Sequence, residues 1–361
     1  MRIPYFLRMP LIDSCIQFVL IGQANKYYKA GNKMVKYISK RIMYMIFVFA
    51  VMSVILFFLY NLIPGDPARA EVEPMKDTLT PQEYQLRYQA ARDRLGLDDP
   101  LHIRYATWIG KLLKFDLGDS SAFKKPVNEI IGTPLKVTIF VNIFSITIAF
   151  LITIPLGITC ALKKNSMFDK VVQVLTIIGY SIPSFIFGLL FIFAFAVKLK
   201  WFPVSGMSTA NFQGTQWEAM KDTMLHLALP LMVLTFSSLG GLTRYIRAAM
   251  GDALTMDCIK TARAKGLKER VVILSHAWRN ALLPVITLLI GWIMSVFAGS
   301  LIVERMFNIN GMGKFFYDSL VKQDYNVTLA IQLFYVILAL LGNLITDISY
   351  GLVDPRVRVN R

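Results

Sequence analysis

Leu135 to Ala161 reads LKVTIFVNIFSITIAFLITIPLGITCA, and between Lys136 and Lys163 it carries no charged side chain. A bilayer core about 30 Å thick takes roughly 20 helical residues to cross, so this stretch is long enough to span one. Similar apolar stretches lie near 42–63, 171–197, 225–247, 282–303 and 328–352. Six such segments predict an all-α polytopic membrane protein with six transmembrane helices, because a helix bonds its own backbone polar groups where no water can.

The composition points the same way. Of 361 residues, 55% are hydrophobic and 17% charged, against about 25% charged in an average soluble domain. The formal net charge of +16 would suggest nucleic acid in a soluble protein. Here the basic residues gather in short loops beside apolar spans, so no nucleic-acid partner is expected and the bilayer is. Cys15, Cys160 and Cys258 are far apart and form no CxxC pair, which predicts neither a disulfide framework nor a zinc site.

Lysine and arginine in short loops set orientation. Lys33, Lys36, Lys40 and Arg41 precede the first span, and Lys163, Lys164 and Lys170 follow the second. Arg244, Arg247, Lys260, Arg263, Lys265, Lys268, Arg270 and Arg279 surround the loop after the fourth, and Arg356, Arg358 and Arg361 close the chain. Six crossings put these regions on one side, so both termini are expected to be cytoplasmic. The expected divisions are an N-terminal extension over 1–33, a flank and first span over 34–64, and an external subdomain over 65–132. A core of five spans follows over 133–352, with a cytoplasmic loop at 248–281 and a basic tail at 353–361. Met34 resembles a natural start, so residues 1–33 are either an upstream extension or an interfacial arm. Within the subdomain, Thr80-Pro81-Gln82-Glu83 predicts a helix start and Gly96 its end.

The loop near Asp257–Leu267 is a short, charged, helix-forming stretch. Asp257 is expected to cap a helix whose face is made by Ile259, Ala262, Gly266 and Leu267, with Lys260, Arg263, Lys265 and Lys268 around it. Gly266 suits either a left-handed cap or the close approach of a partner backbone. Spacing alone leaves two readings open, a docking element for a soluble partner or a helix lying on anionic headgroups. Gly179, Pro183, Pro230 and Pro284 are candidate bend points, although ordinary packing explains any one of them as well.

Arg244-Tyr245-Ile246-Arg247, then Thr261-Ala262-Arg263-Ala264-Lys265-Gly266-Leu267, His276 and Asn280-Ala281-Leu282-Leu283-Pro284 resemble the cytoplasmic signature of binding-protein-dependent ABC import permeases, and within them the dipeptide/oligopeptide/nickel group. The resemblance extends from Met34 to Arg358. It includes Pro64-Gly65-Asp66-Pro67, Leu95-Gly96-Leu97-Asp98-Asp99-Pro100-Leu101, Tyr105 and Trp108, and Asp116-Leu117-Gly118-Asp119-Ser120. It continues through Ser181-Ile182-Pro183-Ser184-Phe185, Trp201-Phe202-Pro203-Val204-Ser205-Gly206, Val303-Glu304-Arg305-Met306-Phe307, Asp324-Tyr325 and Asp354-Pro355-Arg356. Two departures stand out: Lys260-Thr261-Ala262 replaces a general Glu-Ala-Ala, and Asn310 replaces a usual proline before Gly311-Met312-Gly313.

The resemblance implies a type I ABC importer permease in a bacterial or archaeal plasma membrane. Asp257, Ile259, Lys260, Thr261, Ala262, Arg263, Ala264, Lys265, Gly266 and Leu267 would be a coupling helix seated in an ATP-binding subunit. A second permease, two ATPases and an extracellular or periplasmic binding protein would complete the complex. The cargo would be a peptide, with nickel or glutathione as alternatives within the group.

The chain has no GxxxxGK[ST] loop, so ATP and its magnesium are expected on partner subunits, and this chain is expected to be neither an enzyme nor to bind a cofactor or metal. Gly311-Met312-Gly313-Lys314 is read as a turn. Gly179-Tyr180-Ser181 is read as a small-residue helix contact rather than an intramembrane protease site. An ion-coupled secondary transporter is the competing class, and it would keep ionisable groups mid-membrane. The spans offer only His226 and Asp347, each near an end.

Overall fold

The computed structural model describes residues 38–62 and 65–353. The N-terminal extension before Ile38 and the basic tail after Val353 lie outside the described residues. The chain divides into one unit up to Val54 and another from Ile55 onward. Helix α1 spans Ile38–Leu62, and the rest of the described chain belongs to the second unit, beginning with Ile55.

Helices α2 (Pro67–Val72), α3 (Pro81–Leu95), α4 (Leu101–Leu112) and α5 (Val127–Ile130) make up the 65–132 segment. The expected boundaries of α3 hold. Thr80 accepts from the Glu83 N–H, Glu83 reaches back to the Thr80 N–H, and the helix stops at Gly96. Ala68, Val72 and Ala91 form a small core between α2 and α3.

Helix α6 (Gly132–Leu162) is the span read first from the sequence. Then come α7 (Met167–Ser181), α8 (Ser184–Phe191), α9 (Gln216–Thr255), α10 (Asp257–Ala264), α11 (Glu269–Val271) and α12 (Trp278–Met294). Helices α13 (Leu301–Met306), α14 (Met312–Val321) and α15 (Tyr325–Val353) complete the chain. Among the described residues five helical stretches are long and apolar enough to cross a bilayer, and a sixth is made if the pair Met167–Ser181 and Ser184–Lys198, bent by 101°, counts as one broken span.

That bend corrects the expectation of one continuous third span over 171–197. Pro183 has no N–H and crowds the residue before it, and Ile182 adopts extended angles (φ −88°, ψ 128°) instead of helical ones. The other proline candidates, Pro230 and Pro284, sit inside α9 and α12 without interrupting them. Gly179 lies within α7, where a Cβ would stand 3.3 Å from the Phe236 carbonyl oxygen, so it serves a helix contact.

Helix α9 is the axis of this unit. It packs against α6, α7 and α12, and its buried face runs from His226 to Ala253. Close approach needs small residues: a Cβ on Gly240 would come within 2.9 Å of the Tyr180 Cβ on α7. Without a hydrophobic force between helices in lipid, such backbone proximity is a main source of association.

The fifth span is interrupted between Ser295 and Ser300. Asn142 on α6 donates to the carbonyls of Val296 (3.0 Å) and Ala298 (2.9 Å), replacing partners lost at the break. Glu304 is buried beside it and accepts from Thr138 Oγ1 and from the Lys314 N–H, each at 3.0 Å. Gly311-Met312-Gly313-Lys314 is therefore not a free turn. Gly311 is the N-cap of α14, and Glu304 supplies an acceptor to the first turn of that helix.

Candidate coupling surface

Helix α10 stands between the end of α9 and the start of α11, as a separate two-turn element. Its apolar positions recur at helical spacing, and the buried ones point into this chain. Ile259 is 0% exposed and Ala262 4%, packed with Ile246, Met250, Ala253, Val272, Ala277 and Ala281. Cys258, Lys260, Thr261, Arg263, Ala264 and Lys265 are exposed. The helix is thus anchored by one face and presents the other.

Two expectations about its ends are corrected. Asp257 is the first helical residue and Met256 the N-cap, with no side-chain capping bond. The Asp257 carboxylate instead accepts from Lys260 Nζ at 2.8 Å. Gly266 and Leu267 do not extend the buried face, because the helix has already ended. Gly266 is left-handed (φ +74°), its N–H donates to the Arg263 carbonyl at 2.9 Å, and the Leu267 N–H reaches back to the Ala262 carbonyl at 3.3 Å. This pair of reversed bonds closes the carbonyls at the helix end. The left-handed cap is the role Gly266 has here, and a Cβ there would meet no atom of the described residues within 4 Å.

The basic surround is partly consumed internally. Arg263 Nη2 donates to Glu269 Oε1 at 2.6 Å and its Nε to Oε2 at 3.3 Å, pinning the end of α10 to the start of α11. Hydrogen bonding to Arg263 holds the Glu269 carboxyl below its ordinary range. Lys265 and Lys268 have no ion pair among the described residues.

The Arg244-Tyr245-Ile246-Arg247 stretch has a physical division of labour. Ile246 is fully buried beneath α10. The Tyr245 hydroxyl donates to the Pro284 carbonyl on α12 at 3.1 Å. Arg247 makes a forked pair with Asp169, Nε to Oδ1 and Nη2 to Oδ2, both at 2.6 Å. Asp169 is 2% exposed and also accepts from the Asn165 N–H at 2.9 Å. The loop between α6 and α7 is thereby tied to α9 a little over two turns before that helix ends. Sequence reading passed over Asp169 and Glu269. The usable signal for Asp169 was Ser166-x-x-Asp169, a helix-start pattern among lysines, and Ser166 does accept from the Asp169 N–H at 3.2 Å. His276 and Asn280 complete the support: the Asn280 amide donates to the His276 carbonyl at 2.8 Å and contacts Cys258 Sγ on α10 at 3.8 Å.

Residues 153–359 match the family described as the binding-protein-dependent transport system inner membrane component, and residues 34–127 match the N-terminal part described for such membrane components. The chain belongs to this family. The oligopeptide transport system permease protein AppB of Bacillus subtilis is 38% identical over 325 residues, covering 90% of this chain and 99% of that protein. The dipeptide transport system permease protein DppB of the same organism is 33% identical over 331 residues, with 91% and 99% covered. The glutathione transport system permease protein GsiC of Salmonella typhimurium is 33% identical over 325 residues, with 90% and 99% covered. This binding-protein-dependent permease is a multi-pass membrane protein, a transport component of an ABC importer.

Proposed function

We propose that this permease carries short peptides inward, with a second permease subunit forming the other half of the pathway, two ATP-binding subunits below and a binding protein delivering cargo from outside. In this reading both termini are cytoplasmic, the 65–132 segment is external, and nucleotide and magnesium reside on the ATP-binding subunits. The similarity to oligopeptide and dipeptide permeases supports peptide cargo. A glutathione permease is also similar, and glutathione is itself a short peptide.

The observation that carries the mechanism is the one-sided burial of α10. Its one large aliphatic residue, Ile259, is spent inside this chain, and the presented face holds Cys258, Thr261, Ala264 and Lys265. A helix that lies on headgroups keeps its large apolar residues for the lipid. A small-residue, weakly cationic face anchored from behind fits a groove in a soluble subunit instead. Closure of the ATPase pair would push α10, and the packing of Ile259 and Ala262 against α9 and α12 would carry that push into the membrane. For ATP to shift the inward–outward balance, α10 must be bound differently in the two states.

Cys258 offers a direct test. In the assembled importer, with Cys15 and Cys160 replaced by serine, a short thiol–amine cross-linker should join Cys258 to an ATP-binding subunit, and the yield should change with nucleotide. Labelling of Cys258 by a lipid-dissolved probe, with no cross-link to the ATPase in any nucleotide state, would reverse the assignment.

A further inference from the structure

A cavity of about 540 Å3 lies where the end of α1, α3, α4 and the start of α15 converge. Its volume falls within the roughly 300–1,000 Å3 of small-molecule sites. Pieces of sequence far apart in the chain meet on its wall: Gly65-Asp66-Pro67, Leu95-Gly96-Leu97, Trp108, Asp116-Leu117-Gly118 and Tyr325. The apolar part is aromatic, with Phe57, Tyr60, Trp108 and Tyr325. Phe57 stacks at a tilt on Trp108, ring centroids 5.4 Å apart, and Tyr60 meets Tyr325 edge-on at 6.5 Å, so these rings are held in place.

The wall also carries the exposed Asp93, Lys111 and Asp116, of which Lys111 has no ion pair among the described residues, and its other charges fall into two groups. Those of the first group are already satisfied. Asp66 accepts from the Tyr88 hydroxyl and from the Ala68 N–H at 2.9 Å, and Arg92 pairs with Asp66 and Asp98. Burial works against the charged form of Asp66, but the bonds from Tyr88 and from the backbone of Arg69 and Ala68 outweigh it and keep the carboxyl below its ordinary range. Arg94 pairs with Glu71 outside the cavity.

Arg104 and Asp99 form the second group. Both line the cavity. Among the described residues, neither side chain has a hydrogen bond or an ion pair. Arg104 is half-buried, and burial pulls its guanidinium below the ordinary arginine value, opposed by the charge of Asp99. Each is near enough to feel the other, yet they do not meet. A partly desolvated arginine without a counter-ion is costly, and the cost is recovered only when an anion arrives. Its planar fork matches a carboxylate in two bonds. An opposite charge across the same space suits a ligand with an ammonium group at its other end.

We propose that this cavity is a binding site for a short zwitterionic peptide, with Arg104 holding the terminal carboxylate, Asp99 the terminal ammonium group, and the Phe57, Tyr60, Trp108 and Tyr325 rings enclosing the chain between. The proposal rests on the peptide reading above and deepens it, giving this permease a cargo contact of its own.

The experiment uses the assembled importer in nanodiscs without its binding protein and radiolabelled L-alanyl-L-alanine in equilibrium dialysis. Saturable binding is expected, and L-alanyl-L-alanine amide should bind about tenfold more weakly, the fold-change of one charged hydrogen-bonded contact. Arg104→Gln should weaken the free acid about tenfold and leave the amide unchanged, and Arg104→Lys should recover part of the loss. The acid-against-amide comparison needs no variant, so misfolding of one does not blunt the test. Equal binding of acid and amide, an Arg104→Gln variant with unaltered affinity, or saturable binding seen only with the binding protein present would each overturn the site. Parallel uptake assays with the binding protein separate the two claims. Dialanine uptake without cavity binding removes the site alone, whereas cavity binding with no uptake of any short peptide removes the transport reading alone.

Discussion

The α10 surface and the cavity beside α4 use charge in opposite ways. At α10 two of the four surrounding cations are answered from within, Lys260 by Asp257 and Arg263 by Glu269, and deeper Arg247 is answered by Asp169. What remains outward is Cys258, Thr261 and Ala264, with Lys265 and Lys268 beside them. In the cavity, the half-buried Arg104 and the exposed Asp99 have no partner among the described residues. The difference matches what the two proposed roles, coupling and ligand binding, require. A surface that transmits force must be stiff, and internal ion pairs brace it. A site that receives a ligand keeps its charges open until the ligand supplies the counter-charge.

The largest expected effect is at the deepest brace. Asp169→Ala takes the buried carboxylate away from a partly exposed Arg247 and should cost about 2 kcal/mol of stability. Thermal unfolding of the detergent-solubilised protein would show it, and an Asp169→Arg, Arg247→Asp exchange should recover part of the loss. An unchanged midpoint in Asp169→Ala would mean that the pair braces nothing.

Gly266→Val comes next. A β-branched residue held at φ +74° costs about 1–2 kcal/mol, which loosens the end of α10 rather than the whole fold. Uptake by the reconstituted importer should fall further than ATP hydrolysis does, since the transmitting element is altered and the ATPases are intact. An equal fall in both would place the effect on assembly instead. Gly266→Asp should act in the same direction, with added charge on the presented surface.

On the other side of the comparison, Thr80→Ala removes the capping bond that starts α3 and should cost the 65–132 segment about 1 kcal/mol. Limited proteolysis should cut that segment faster while uptake by full-length protein is nearly retained. Cleavage at the wild-type rate would mean that packing of Ala68, Val72 and Ala91 alone holds the segment.

The smallest effect is a pH response at Arg263–Glu269. The folded-state carboxyl of Glu269 lies below its ordinary range, so the stabilisation is complete above that range and is lost as pH falls through the lower folded value. Amide exchange across Lys265–Glu269, corrected for the intrinsic pH dependence of exchange, should quicken in acid. Glu269→Gln should remove that response.

Much of this was legible without a fold. The six apolar segments, the boundaries of α3 and the helical character of α10 follow from local physics, since length, hydropathy and capping residues act within a few turns of the chain. The signature around Arg244–Arg247 was also visible, but not what each residue touches. Asp169 lies 78 positions from Arg247, and no local pattern announces that the two meet. The same holds for Arg104 and Asp99, whose importance lies in a space closed by Tyr60 and Tyr325 from the two ends of the chain. The end of the Ile259–Ala262 face was misjudged for a related reason: Gly266 was seen as suited to a reversal, while the apolar pattern was followed past it.

By itself, then, the sequence determined that this is a polytopic helical protein, which segments cross, and that a short cationic helix stands between two of them. Those properties depend on transfer from water to lipid and on backbone bonding, both of which act on consecutive residues. Only the tertiary structure decided that the third apolar segment bends at Pro183, that α10 spends its apolar face on its own chain, and that Arg104, without a partner among the described residues, lines a cavity. Those depend on which distant side chains share a space, and that is settled by packing.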